Sequence, residues 1–257
     1  MSTTSATSTA ALVAALQERT ARALPAEHVV RLGGWWLRHS PGCAWWSAAV
    51  LPHQELAAGQ LADRVARTER CYAGRGGTAR FQISPAAPRR LDALLAGRGY
   101  RRDSPMSLRT APVTRVLSGA GDAHLPVSVR DHADPAWFDT WFAVHGAGLD
   151  REAERRMLDR LDRPGGYASV VVAGEVVSVG RVVVDAGWAG VFGMATLRHA
   201  RGRGAAGLVL RALAEWAGRR GADQLYLQVD EDDTAATGLY TRAGFTELAA
   251  YHYRTAP

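Results

Sequence analysis

The chain has 257 residues, 47% of them hydrophobic and 22% charged, the balance of a globular protein with one large domain or two of ordinary size. No apolar run approaches the roughly 18 residues that a bilayer-crossing helix needs, which excludes such a span. The formal net charge of +6 comes from 31 Arg and no Lys: this excludes a Schiff-base lysine and a GxxxxGK phosphate loop, and the even scatter of Arg among acids speaks against a nucleic-acid partner.

Residues 1–9 are Ser-, Thr- and Ala-rich and are expected to be disordered, and residues 10–24 to form a helix; together they make an N-terminal segment, 1–24. It has no basic leader, so no secretory signal is expected and a cytoplasmic location is. Residues 33–52 read as two strands about Pro41-Gly42, followed by a helix at 61–73, a strand at 79–84, a helix at 89–97 and a strand around 106–109. These define a first domain, 25–110. Residues 111–123, with Pro, Gly and Ser and no period, are the expected linker to a second domain, 124–257.

In that second domain a strand at 125–130 precedes two helices, PAWFDTWFAVHG and DREAERRMLDRL. Three antiparallel strands should follow, with turns at Ala173-Gly174 and Ala186-Gly187, which tolerate positive φ. A helix at 204–220 carries Ala206, Val209, Leu210, Leu213, Trp216 and Ala217 on one face. A strand at 224–230, a helix at 233–243 and a strand at 245–253 close the chain. At a shift of 145 residues, Gly42 falls on Gly187, Gly59 on Gly204, Gly76 on Gly221, Leu94 on Leu239 and Gly99-Tyr100 on Gly244-Phe245. The matches lie at turns and element ends and indicate two copies of one α/β fold of the α+β kind, each a mixed, mostly antiparallel sheet flanked by helices.

Arg201-Gly202-Arg203-Gly204-Ala205-Ala206 joins a strand to an amphipathic helix. Small residues there leave backbone amides unshielded at the positive end of a helix dipole, the chemistry of a pyrophosphate cradle; a tight turn in an Arg/Gly-rich chain is the plainer alternative. Some 25 residues on, VDEDDTAATGLYTRAGF gives a polar bend and a short helix presenting Tyr240, either an acid or a core aromatic.

Together these segments resemble the GCN5-related N-acetyltransferase (GNAT) family. Arg201, Gly204 and Ala206 meet its Gln/Arg-x-x-Gly-x-Gly/Ala signature, and Leu239, Tyr240, Gly244 and Phe245 its closing pattern. The first half resembles a degenerate copy, as in tandem actinobacterial proteins often labelled N-acetylglutamate-synthase-like, on its GGWWLR and LDALLAGRGY runs. The resemblance implies a tandem fold and acetyl transfer from acetyl-CoA to a small primary amine in a ternary complex, with a non-catalytic acyl-CoA-binding or regulatory module as the alternative. It implies that the amides of Arg201, Gly202, Arg203, Gly204, Ala205, Ala206 and Gly207 hold the pyrophosphate, and that Met194, Ala195 and Thr196 pair with the pantetheine arm. It also implies that Tyr240 protonates the departing thiolate. Asp233 stands where the family commonly has Asn: it can cap the next helix but cannot donate to the pantetheine arm.

The proton acceptor for the amine stays open among Asp185, Glu175, Glu247 and His252, each also readable as a solvated or capping side chain. Cys43 and Cys71 lack a recognisable His partner and read as small apolar residues, and no histidine shows metal-ligand spacing, so no metal is expected. The acceptor substrate and the choice between monomer and homodimer stay open.

Overall fold

The computed structural model describes residues 2–119 and 125–257, with side chains from Thr9 onward. It divides into two compact units, Met1–Leu108 with Leu248–Pro257, and Arg109–Glu247.

The first unit opens with helix α1 (Ser2–Ala23). Residues 2–9 are therefore helical rather than disordered: the Ser/Thr/Ala run contains no Gly or Pro to interrupt a helix that Val13 and Leu16 anchor by burial. Strands β1 (His28–Leu32) and β2 (Trp35–His39) pair antiparallel from Leu32↔Trp35 to His28↔His39. The expected second arm of the 33–52 hairpin shrinks to β3 (Leu51–Pro52), because Trp45–Ser47 forms a 3-10 turn. Helix α2 (Ala58–Ala73), strand β4 (Arg80–Ile83), helix α3 (Leu91–Gly97) and strand β5 (Arg101–Pro112) follow. Trp35, Leu61, Val65, Phe81, Leu91, Leu95 and Tyr100 form the core.

The second unit takes over within β5. The expected linker carries helix α4 (Val113–Ser118), whose Val113 and Val116 are buried in this unit's core; residues 120–123 of that linker lie outside the described residues. After β6 (Val127–Arg130) come helices α5 (Pro135–His145) and α6 (Arg151–Asp159). Asp134 caps α5 by accepting from Trp137 N at 2.8 Å, and Asp150 caps α6 by accepting from Glu152 N and Ala153 N. The antiparallel strands β7 (Gly165–Val172), β8 (Glu175–Asp185) and β9 (Trp188–Thr196) turn where expected. Ala173 (φ +51°), Gly174 (+84°), Ala186 (+50°) and Gly187 (+77°) make two-residue turns with both φ positive, matching the strand twist.

Helix α7 (Ala205–Gly218), strand β10 (Gln224–Asp230), helix α8 (Thr234–Arg242) and strand β11 (Thr246–Thr255) complete the chain. The unit's sheet runs β10-β9-β8-β7-β6. Val209, Leu210 and Leu213 of the α7 stripe pack with Val182, Val191, Leu225, Leu227 and Phe245. The last residues of β11 belong to the first unit, where His252↔Ile83 through Thr255↔Arg80 pair antiparallel with β4. Shifted by 145 residues, α2, β4 and α3 fall on 203–218, 225–228 and 236–242, over α7, β10 and α8.

Candidate active site

The site begins with a mismatch between two strands. Val179 pairs with Ala195 and Arg181 with Phe192, so Gly180 of β8 faces both Gly193 and Met194 of β9. Gly193 takes φ +60°, and a β-carbon there would fall 3.2 Å from Trp141 Nε1. A β-carbon on Gly180 would collide with Met194 Sδ. Glycine is thus required on both sides of the bulge.

Beyond the bulge β9 leaves its other neighbour. The parallel pairing with β10 runs from Gln224↔Trp188 to Tyr226↔Gly190 and stops there, although β10 continues to Asp230. The strands part, and Met194, Ala195 and Thr196 lie along the opened edge. On the closed side Ser178 Oγ lies 3.2 Å from Ala195 O and 2.8 Å from Thr196 Oγ1. His145 Nε2 lies 3.1 Å from Met194 O.

The loop from β9 to α7 passes through Gly202 (φ +75°) and Gly204 (φ +81°), the left-handed N-cap of α7. No side chain caps the helix, so the amides of Ala205, Ala206 and Gly207 point out of its first turn at the positive end of the dipole. Arg201 donates Nε to Thr196 O at 3.2 Å, tying this loop to the opened strand end; Arg203 is exposed. Ala205 is buried in the core, and a β-carbon on Gly207 would reach only Leu239 Cδ1, at 4.0 Å. An uncapped helix start of this kind can hold an anion.

Asp233 accepts from Ala236 N at 2.9 Å and caps α8. Two turns along that helix Tyr240 is 7% exposed, edge-to-face with Phe245 at 5.9 Å. Its hydroxyl makes no hydrogen bond among the described residues, whereas a buried tyrosine hydroxyl ordinarily finds a partner. Burial first, and the Asp233 charge second, push its ionisation well above the ordinary phenol value. Tyr240 is therefore a protonated donor at neutral pH with an uncommitted oxygen.

Three of the four expected proton acceptors are engaged elsewhere. Asp185 lies 3.4 Å from Arg163, Glu175 lies 3.1 Å from His199, and His252 lies 2.9 Å from Asp92 in the first unit. Glu247 is exposed at the start of β11. Sequence reasoning named no residue of α5 for the site, although Trp137, Trp141 and His145 recur every fourth residue, a single helix face. Among the described residues no group of three or more His, Cys, Asp or Glu could hold a metal, and no helix is long and apolar enough to cross a membrane.

Comparison with known proteins places residues 128–245 on the profile of the Acetyltransferase (GNAT) family. The uncharacterized N-acetyltransferase YobR of Bacillus subtilis (strain 168) is 26% identical over 246 residues, covering 93% of this chain and 96% of that protein. A GCN5-related N-acetyltransferase from Kribbella flavida shares the fold with a TM-score of 0.74 at 18% identity over 95% of both chains. A tandem GNAT protein from the clavulanic acid biosynthesis pathway superposes with a TM-score of 0.66 at 16% identity, over 89% of this chain and 81% of that one.

Proposed function

Because residues 128–245 form a domain of the acetyltransferase (GNAT) family, we propose that the protein moves an acetyl group from acetyl-CoA to the primary amine of a small molecule. The observations that carry this reading are the opening between β9 and β10, the uncapped first turn of α7, and a tyrosine on α8 with an uncommitted hydroxyl. In this reading the amides of residues 202–207 take the pyrophosphate, with Arg203 adding charge, and the edge at Met194, Ala195 and Thr196 takes the pantetheine arm. Asp233 shapes the far wall by holding α8, its carboxylate already accepting from Ala236 N.

The amine, once neutral, attacks the thioester carbonyl; the C–N bond forms, the C–S bond breaks, and Tyr240 gives its proton to sulfur. A phenol whose ionisation is pushed up keeps that proton available at neutral pH. The test is incubation with acetyl-CoA and a broad panel of amines, reading free thiol together with the mass of the acetylated product. Tight acetyl-CoA binding without thiol release across the panel would identify a non-catalytic acyl-CoA module instead.

A further inference from the structure

The geometry points to His145 as the group that takes the proton from the incoming amine, an inference that rests on the proposed acetyl transfer. His145 closes α5, and its Nε2 lies 3.1 Å from the carbonyl of Met194, in the bulge. A carbonyl can only accept, so Nε2 carries the hydrogen and the neutral ring keeps its lone pair on Nδ1. Nδ1 has no hydrogen-bond partner among the described residues, and the ring is half-buried beside Trp141, centroids 5.8 Å apart.

The imidazole thus stands one carbonyl group from the strand edge that would carry the thioester. The neighbouring charges have other partners. On α5 itself Asp139 pairs with Arg151. On β8 Glu175 pairs with His199, Asp185 with Arg163, and the buried Arg181 lies with Tyr167 of β7 and Glu154 of α6. β9 carries no acid or base.

The step balances in protons. Nδ1 takes one from the ammonium, and the neutral amine attacks. The second N–H proton of the adduct replaces the one that Tyr240 gives to sulfur, and the imidazolium returns its proton to water. The net products are amide, thiol and one released proton.

His145→Gln separates this role from pinning the bulge, since the Gln amide can still donate to Met194 O but cannot take a proton. Expected are unchanged acetyl-CoA affinity by calorimetry, a fall in kcat/KM for the amine on the order of 10²-fold or more, and a changed pH profile of kcat/KM. On the wild-type protein, ¹⁵N NMR of the imidazole should report the Nε2–H tautomer. Wild-type kcat/KM and pH profile in the Gln variant, or an Nδ1–H tautomer in the wild type, overturns the inference. A wild-type protein that releases no thiol with any amine overturns the proposed function and this inference with it.

Discussion

Trp137 donates its indole N–H to the carbonyl of Gly180 at 3.1 Å, across the bulge that bends β9 away from β10. The ring is 1% exposed, so the carbonyl has a buried partner rather than water. Trp137→Phe keeps an aromatic ring and removes the donor. A loss of about 1–3 kcal/mol is expected, read as a lower urea midpoint with an unchanged slope. An unchanged midpoint would mean that another donor reaches Gly180 O.

Gly207→Ala should move stability and ligand affinity in opposite directions. The residue lies in the first turn of α7, where a β-carbon meets only Leu239 Cδ1 at 4.0 Å, so the substitution gains up to about 1 kcal/mol of helix propensity. The same methyl crowds the amides proposed to hold pyrophosphate. A raised melting temperature with weaker acetyl-CoA binding is the expected pair of results; unaltered affinity would place the pyrophosphate elsewhere. Gly204 is the poorer probe, because at φ +81° any side chain is strained.

Tyr240→Phe should lower kcat while leaving acetyl-CoA affinity unchanged, since the ring and its contact with Phe245 survive. General-acid assistance is worth about 10²–10⁴-fold, and a fraction is expected to go because a thiolate can leave unaided. The pH profile gives the second check. An acid must be protonated to act, and burial raises this phenol's ionisation, so its contribution persists above the ordinary phenol value of about 10. Full turnover in the Phe variant, with chemistry rate-limiting, would make Tyr240 a core aromatic only.

Calorimetry should find one acetyl-CoA site per chain. The first unit's α2 starts from Ala57 with extended backbone rather than a left-handed glycine, and the shifted counterpart of Gly204, Gly59, lies inside the helix. Leu61, opposite Ala206, is buried in the core, and Leu95, opposite Tyr240, has no hydroxyl to offer. Two equivalent sites would contradict this.

Asp92→Asn should destabilise the protein near pH 7 and cease to matter in acid. Asp92 accepts from Arg254 Nε at 2.7 Å and lies 2.9 Å from His252 Nε2; the Arg254 hydrogen bond first, and His252 after it, hold the carboxyl below its ordinary range. A depressed folded-state value contributes stability above the unfolded value of about 3.9, lost as the pH falls through the folded one. The side chain is 39% exposed, so the effect is small and shrinks with salt. Melting temperatures of the two proteins that stay apart in acid would show a role other than charge.

Much of the second unit was legible because its pattern repeats often. The α7 stripe from Ala206 to Ala217 and the Ala-Gly turns fix period and direction over many residues, and both motif segments fall on the strand-to-helix joints expected of them. The misses share a cause. In α4 the burial of Val113 and Val116 supplies the helix signal, and six residues are too few to show a period. Strand β1 has an exposed face and five residues, and Trp45–Ser47 gives up strand pairing for aromatic packing that composition does not reveal. The bulge is set by side chains far away in sequence: only the fold shows that Trp137 and His145 hydrogen-bond to the carbonyls of Gly180 and Met194.

The division of β11 between the units bears on the order in which a ribosome can finish them. β4 emerges at Arg80–Ile83, but the strand that covers its edge, His252–Thr255, is translated only after the whole second unit. Until then the first unit carries an uncovered strand edge, a surface prone to wrong pairing. Synthesis runs from first unit to second, yet completion runs the other way. A stop codon just before residue 248 would strike the unit translated first.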